Sequence, residues 1–191
     1  KQGTYDLAAA GPFRRIQGQT LGIVGLGNIG RRLAEIAQGI GLNVIACSRS
    51  PKNLDQVREV TFDQLLMESD FISIHAPLTS DTENLFDRRA FEMMKSSAFL
   101  VNTARGGLVN PAALAGALEE NQIAGAALDV QAPEPPDLST APYNDPRVIV
   151  TPHAAFVSQE SLADLRTRSA RQVVDRLSGR PPQHVVNGVK L

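Results

Sequence analysis

Arg105, Glu134 and His153 are the side chains of this sequence best suited to chemistry on a small acid. Arg105 lies within Asn102-Thr103-Ala104-Arg105-Gly106-Gly107, and Glu134 within Leu128-Asp129-Val130-Gln131-Ala132-Pro133-Glu134-Pro135. His153 lies within Thr151-Pro152-His153-Ala154. Each follows a short apolar run that reads as a strand, and ligands of open parallel sheets bind beyond the carboxyl ends of the strands. A guanidinium can grip a carboxylate with two parallel hydrogen bonds and hold the neighbouring carbonyl in line for attack. An imidazole with an ordinary pKa near ~6.5 can protonate a developing alkoxide around neutrality. A paired carboxylate would keep that imidazole protonated and oriented. Together these are the parts that hydride reduction of a 2-oxo acid requires. Singly, each also fits a plainer role: a surface arginine in a turn, a solvated acid in a proline-rich loop, a histidine at a strand end.

A second constellation could hold the hydride carrier. Gly25-Leu26-Gly27-Asn28-Ile29-Gly30 reads G-x-G-x-x-G, placed directly after an apolar run and directly before a helical pattern. Gly25 permits the tight turn, Gly27 lets a pyrophosphate approach the backbone, and Gly30 lets the helix pack closely on the strand. Free N–H groups near Asn28 and Ile29 would face the anion. Ser48 stands eighteen residues after Gly30, near the ~20-residue offset where an acid would bind an adenine ribose. Ser48-Arg49-Ser50 occupies that place without an acid, and Lys52 follows. Arginine flanked by hydroxyls suits a 2′-phosphate, so NADP(H) is expected over NAD(H). The alternative is a solvated loop with the usual basic residues.

The elements that must position these residues follow from short apolar runs alternating with helix-length segments, the pattern of a parallel sheet with crossover helices. Seven strands are predicted: Thr20–Val24, Asn43–Cys47, Arg58–Val60, Phe71–Ile74, Ala98–Asn102, Ile123–Leu128 and Val148–Thr151. Leu33, Ile36, Ala37 and Ile40 fall on one face of a helix. Asn110-Pro111 begins another, and Ser158 caps a third that carries Leu162, Leu165, Ser169, Val173 and Leu177 on one side and closes at Gly179. The expected fold is α/β, a Rossmann-type doubly wound sheet over residues 19–179. Residues 1–18 would be an arm or interdomain segment, and 180–191 a tail.

The composition agrees. The 191 residues are 42% apolar and 20% charged, ordinary for a globular chain. Nineteen Lys and Arg against twenty Asp and Glu leave a charge of −1, which gives no field for nucleic acid or an anionic membrane. No apolar run is long enough to span a bilayer, and no cluster suggests a metal. A lone cysteine, Cys47, fits a reducing compartment, so a cytoplasmic setting is expected. Without an initiator methionine, the sequence reads as part of a longer protein.

At this point the sequence resembles the nucleotide-binding domain of the D-isomer-specific 2-hydroxyacid dehydrogenases. Four motifs carry the likeness: Leu21 to Gly30, Ser69-Asp-Phe-Ile-Ser-Ile-His-Ala-Pro-Leu-Thr79, Phe99-Leu-Val-Asn-Thr-Ala-Arg-Gly-Gly-Leu-Val109, and Ala126-Ala-Leu-Asp-Val130 leading to Glu134-Pro135 with Thr151-Pro-His153 behind. The resemblance implies that Arg105 binds the substrate carboxylate and carbonyl, His153 is the acid/base and Glu134 pairs with it. It implies that Asp129 contacts the nicotinamide carboxamide, and that Thr103, His75 and Pro77 line the cofactor. It further implies an NAD(P) cofactor, a small 2-oxo or 2-hydroxy acid substrate, a substrate-binding domain built from preceding sequence, and a homodimer formed through this domain. Two departures from the family pattern stand out: Ser48-Arg49 replaces the ribose-binding acid, and Gln131 stands where an aromatic is usual. A non-enzymatic dinucleotide sensor and a phosphite oxidoreductase are the competing readings. Glutamine at the Glu134 position would mark a formate enzyme, and glutamate argues against one.

Overall fold

The computed structural model describes residues 14–50, 52–183 and 185, and the chain separates after His153 into two compact units. Most of the expected arm and tail, and His184, lie outside the described residues. The first unit is built on one sheet of β1 (Thr20–Val24), β2 (Asn43–Cys47), β3 (Arg58–Glu59), β4 (Phe71–Ile74), β5 (Phe99–Asn102), β6 (Gly125–Leu128) and β7 (Val148–Val150). Their order is β3-β2-β1-β4-β5-β6-β7, and every neighbouring pair is parallel. Such a sheet needs apolar residues on both faces, which is why the strands read as continuous apolar runs rather than alternating ones. The order reverses between β1 and β4, the switch point beside which a doubly wound sheet opens its crevice. Four strands are one or two residues shorter than their apolar runs, because residues such as Ala98 and Thr151 continue the ladder only through single bonds at its edge.

Helices α2 (Phe62–Glu68), α3 (Arg88–Met93) and α4 (Pro111–Glu119) cover one face. Leu65, Phe91 and Leu114 bury there against Ile72, Ile74, Leu100 and Leu128. The sequence reading did not place α2 or α3, although their start signals are local: Thr61 and Gln64 form a capping box, and the Asp87 side chain accepts from Ala90 N–H. Asn110 caps α4 as expected, its side chain accepting from Ala113 N–H at 3.0 Å.

Helix α1 (Asn28–Gly39) covers the opposite face over β1 and β2. Its buried residues are Gly30, Ala34 and Ala37, whereas Ile36 and Ile40 are 50% and 53% exposed. Of the face expected from Leu33, Ile36, Ala37 and Ile40, Ala37 is buried and Leu33 packs partly against the core, while the two isoleucines stay outside it. Small residues line the buried contact because this helix approaches the sheet closely: a Cβ at Gly30 would overlap the Gly25 carbonyl. The second unit contains α5 (Gln159–Leu177), begun by a Ser158–Ser161 capping box and followed by Gly179 at φ 73°. Its expected apolar side is not buried: Leu165, Val173 and Leu177 are exposed.

Candidate active site

Strands β5, β6 and β7 are neighbours, so the segments leaving their carboxyl ends emerge side by side. After β5, the wholly buried Asn102 folds the chain back. Its Oδ1 accepts from Ala104 N–H at 3.0 Å and its Nδ2 donates to the Arg105 carbonyl at 2.9 Å. That two-sided clamp shapes the turn bearing Arg105, whose exposed guanidinium donates to the Ala104 carbonyl at 2.6 Å. The sequence reading passed over Asn102, although a polar residue ending an apolar run marks this role. Thr103 is exposed on the same turn.

After β6 and β7, the structure brings Glu134 and His153 together, Nδ1 to Oε2 at 2.9 Å. Glu134 Oε1 accepts from Gln131 N–H at 2.8 Å. The His153 bond, then the Gln131 N–H, hold the Glu134 carboxyl below the usual carboxylate range. An ionised carboxylate only accepts, so Nδ1 carries the hydrogen of this bond. His153 sits at φ 53°, a region uncommon for residues with a side chain, and its N–H donates to the Asp129 and Thr151 carbonyls at 2.9 and 3.0 Å. The Asp129 carboxylate is buried and accepts from Thr151 Oγ1 at 2.6 Å. Beside the pair lies a cavity of about 490 Å³ with Pro135, Leu138, Val150 and Pro152 among its walls.

At the switch point, Gly25 has φ 100°, and a Cβ there would press on the His75 carbonyl at 2.7 Å. Nothing lies within 4 Å of where a Gly27 Cβ would stand. Asn28 and Ile29 are exposed, and the start of α1 has neither a side-chain cap nor an acid in its first turn. Open approach, unpaired helix N–H groups and no competing negative charge fit a pyrophosphate. His75 and the exposed Pro77 lead away from β4 next to this turn. Burial pushes the His75 imidazole pKa down, and its Nε2 lies 2.9 Å from Ser73 Oγ.

Beyond β2, the Ser48 hydroxyl donates to the Ser50 carbonyl at 2.8 Å, while Arg49 and Ser50 are exposed. Glu59, at the end of β3, accepts from Lys52 and Asn53 N–H at 2.6 and 2.7 Å, and these bonds hold its carboxyl low. Sequence reasoning missed Glu59, because nothing in the residues between shows that the chain turns back to set this acid, six and seven positions on, under Asn53 and Lys52 N–H. Burial, then the nearby Glu59 charge, pushes the Cys47 thiol pKa up. Among the described residues, no three His, Cys, Asp or Glu gather as a metal site would require, and no helix is long and apolar enough to cross a membrane.

The sheet order, glycine turn and open first turn of α1 define a dinucleotide-binding domain of the doubly wound class. Residues 1–155 match the model of the D-isomer specific 2-hydroxyacid dehydrogenase NAD binding domain, and the chain belongs to that family. It is 40% identical over 177 residues to a glycerate dehydrogenase of Methylorubrum extorquens, covering 92% of this chain and 55% of that protein. It is 39% identical over 177 residues to a glyoxylate reductase of Aeropyrum pernix, covering 90% and 52%. The structure of an NAD-complexed D-isomer specific 2-hydroxyacid dehydrogenase from Lactobacillus delbrueckii ssp. bulgaricus superposes with a TM-score of 0.85 at 33% identity, covering 91% of this chain and 58% of that one. The chain thus spans about half the length of the curated relatives it matches.

Proposed function

We propose that these residues are the cofactor-binding half of an oxidoreductase that moves hydride between NAD(P)H and a 2-oxo or D-2-hydroxy acid. The observation carrying this reading is the Glu134–His153 hydrogen bond, formed where two adjacent strands end. In the reductive direction, Arg105 holds the substrate carboxylate and turns the 2-oxo group toward His153. The bound dihydronicotinamide supplies the hydride. His153 delivers a proton from Nε2 to the carbonyl oxygen as negative charge develops there, and Glu134 stabilises the imidazolium through Nδ1. Gly25, Gly27, Asn28, Ile29 and Gly30 take the pyrophosphate, with His75, Pro77, Thr103 and Asp129 toward the nicotinamide end. Ser48, Arg49 and Ser50 take the adenine ribose, with NADP(H) preferred.

The test is His153→Ala in the complete protein. Turnover should fall roughly 100-fold or more, the scale of a lost general acid/base, with cofactor affinity unchanged. Near-normal turnover removes His153 from the mechanism and favours the dinucleotide-sensor reading. The same proposal includes a homodimer formed through this domain. Phe99 and Ile149, 43% and 65% exposed on the face opposite α2–α4, support that surface. Sedimentation of an Ile149→Lys variant tests it, an undiminished dimer counting against this surface.

A further inference from the structure

Three parts of the site meet on Gln131. Its backbone N–H donates at 2.8 Å to Glu134 Oε1, the oxygen other than the one bound to His153. Its side-chain Nε2 donates to the Leu128 carbonyl at 2.9 Å and, more weakly, to the Thr151 carbonyl at 3.4 Å. The amide therefore ties the last residue of β6 to the residue following β7. The Gln131 carbonyl packs so tightly on Gly106, next to Arg105, that a Cβ at Gly106 would overlap it. The residue is only 7% exposed. A buried amide costs free energy unless its bonds are made, and an apolar group filling the same space avoids that cost. Volume alone thus does not account for glutamine here, whereas its donors reach the two strand ends that lead to Glu134 and His153.

From this convergence we infer that Gln131 is a positioning residue, whose amide fixes the peptide that holds Glu134 against His153 and supports the Arg105 turn. The inference rests on the roles proposed above for that pair. Among the described residues, the charged and titratable groups acting on Glu134 are the His153 imidazole and the Asp129 carboxylate, the latter opposing ionisation. Loosening the Gln131 peptide weakens one of the two bonds that keep the Glu134 carboxyl low. Its pKa then rises toward the ordinary value, and the acid-side loss of turnover moves to higher pH.

Gln131→Met keeps the volume and removes the donors. In the complete protein, kcat should fall about tenfold or more, as misplacement of reacting groups does, with cofactor Kd unchanged and the acid limb of the kcat–pH profile shifted upward. A purely structural residue would lower thermal stability while leaving kcat and the acid limb of the folded protein in place, and that result overturns the inference. Should the Met variant fail to fold, Gln131→Asn, which keeps an amide too short to span both carbonyls, is read by the same criteria. His153→Ala separates the two levels. Lost turnover there with normal kcat and pH profile in the Gln131 variant rejects the positioning role alone, whereas retained turnover in His153→Ala rejects both.

Discussion

His75 shows how burial makes one residue an element of pH response. Burial pushes its pKa below that of an exposed imidazole, so as pH falls the unfolded chain takes up a proton before the folded one does. Stability should therefore decline as pH drops below about 6.5, the ordinary imidazole value. Thermal melts between pH 7.5 and 5.5 should show that decline in the parent and a shallower one in His75→Gln. Equal slopes would mean that His75 charges without cost. Glu134 has the opposite chemistry, since its lowered pKa keeps the carboxylate ionised to pH values below those of a free glutamate. At this scale, much of the candidate site was legible: arginine, glutamate and histidine each follow an apolar run. Asn102, which builds the Arg105 turn, and Glu59, which reaches the β2 loop from β3, were not inferred. The bonds of Asn102 are local, to residues two and three positions on, while Glu59 reaches Lys52 and Asn53 only once the chain between them turns back.

The loop after β2 is the element in which cofactor choice is expected to reside. A charge-assisted bond from Arg49 to a 2′-phosphate is worth about 1.5–3 kcal/mol. Solvent and salt erode that at an exposed arginine, and the Glu59 carboxylate beneath the loop opposes a second negative charge. The expected preference for NADPH over NADH is accordingly about tenfold, equivalent to ~1.4 kcal/mol. Ser48→Asp combined with Arg49→Ala should reverse it by adding a diol acceptor and removing the phosphate's partner. Dissociation constants for both reduced cofactors at one ionic strength decide the matter, and NADH binding as tightly as NADPH would count against Arg49. Helix α1 carries a different lesson. Its periodicity correctly marks a helix, yet the buried side follows Gly30, Ala34 and Ala37 because close approach to the sheet selects small residues over large ones.

For the whole molecule, the Lys1–His153 unit has its own two-sided core, while the chain spans about half of each curated relative. Residues 1–191 alone should bind dinucleotide, seen as a melting temperature that rises with added cofactor. They should show little 2-oxo acid reduction, because the family resemblance implies a separate substrate-binding domain that excludes water and orients the substrate. Turnover comparable to a complete dehydrogenase would show that nothing further is needed. The division between sequence and structure follows the range of the forces involved. Apolar runs, the glycine turn and the Asn110 and Ser158 caps depend on residues within a few positions of one another, so the sequence by itself determined seven parallel strands and the place of the nucleotide turn. The Glu134–His153 contact and the reach of Gln131 across to Thr151 depend on which strands lie side by side and in what register. Only the tertiary structure decided those, because pairings between distant segments form from the collective packing of the sheet rather than from any local preference.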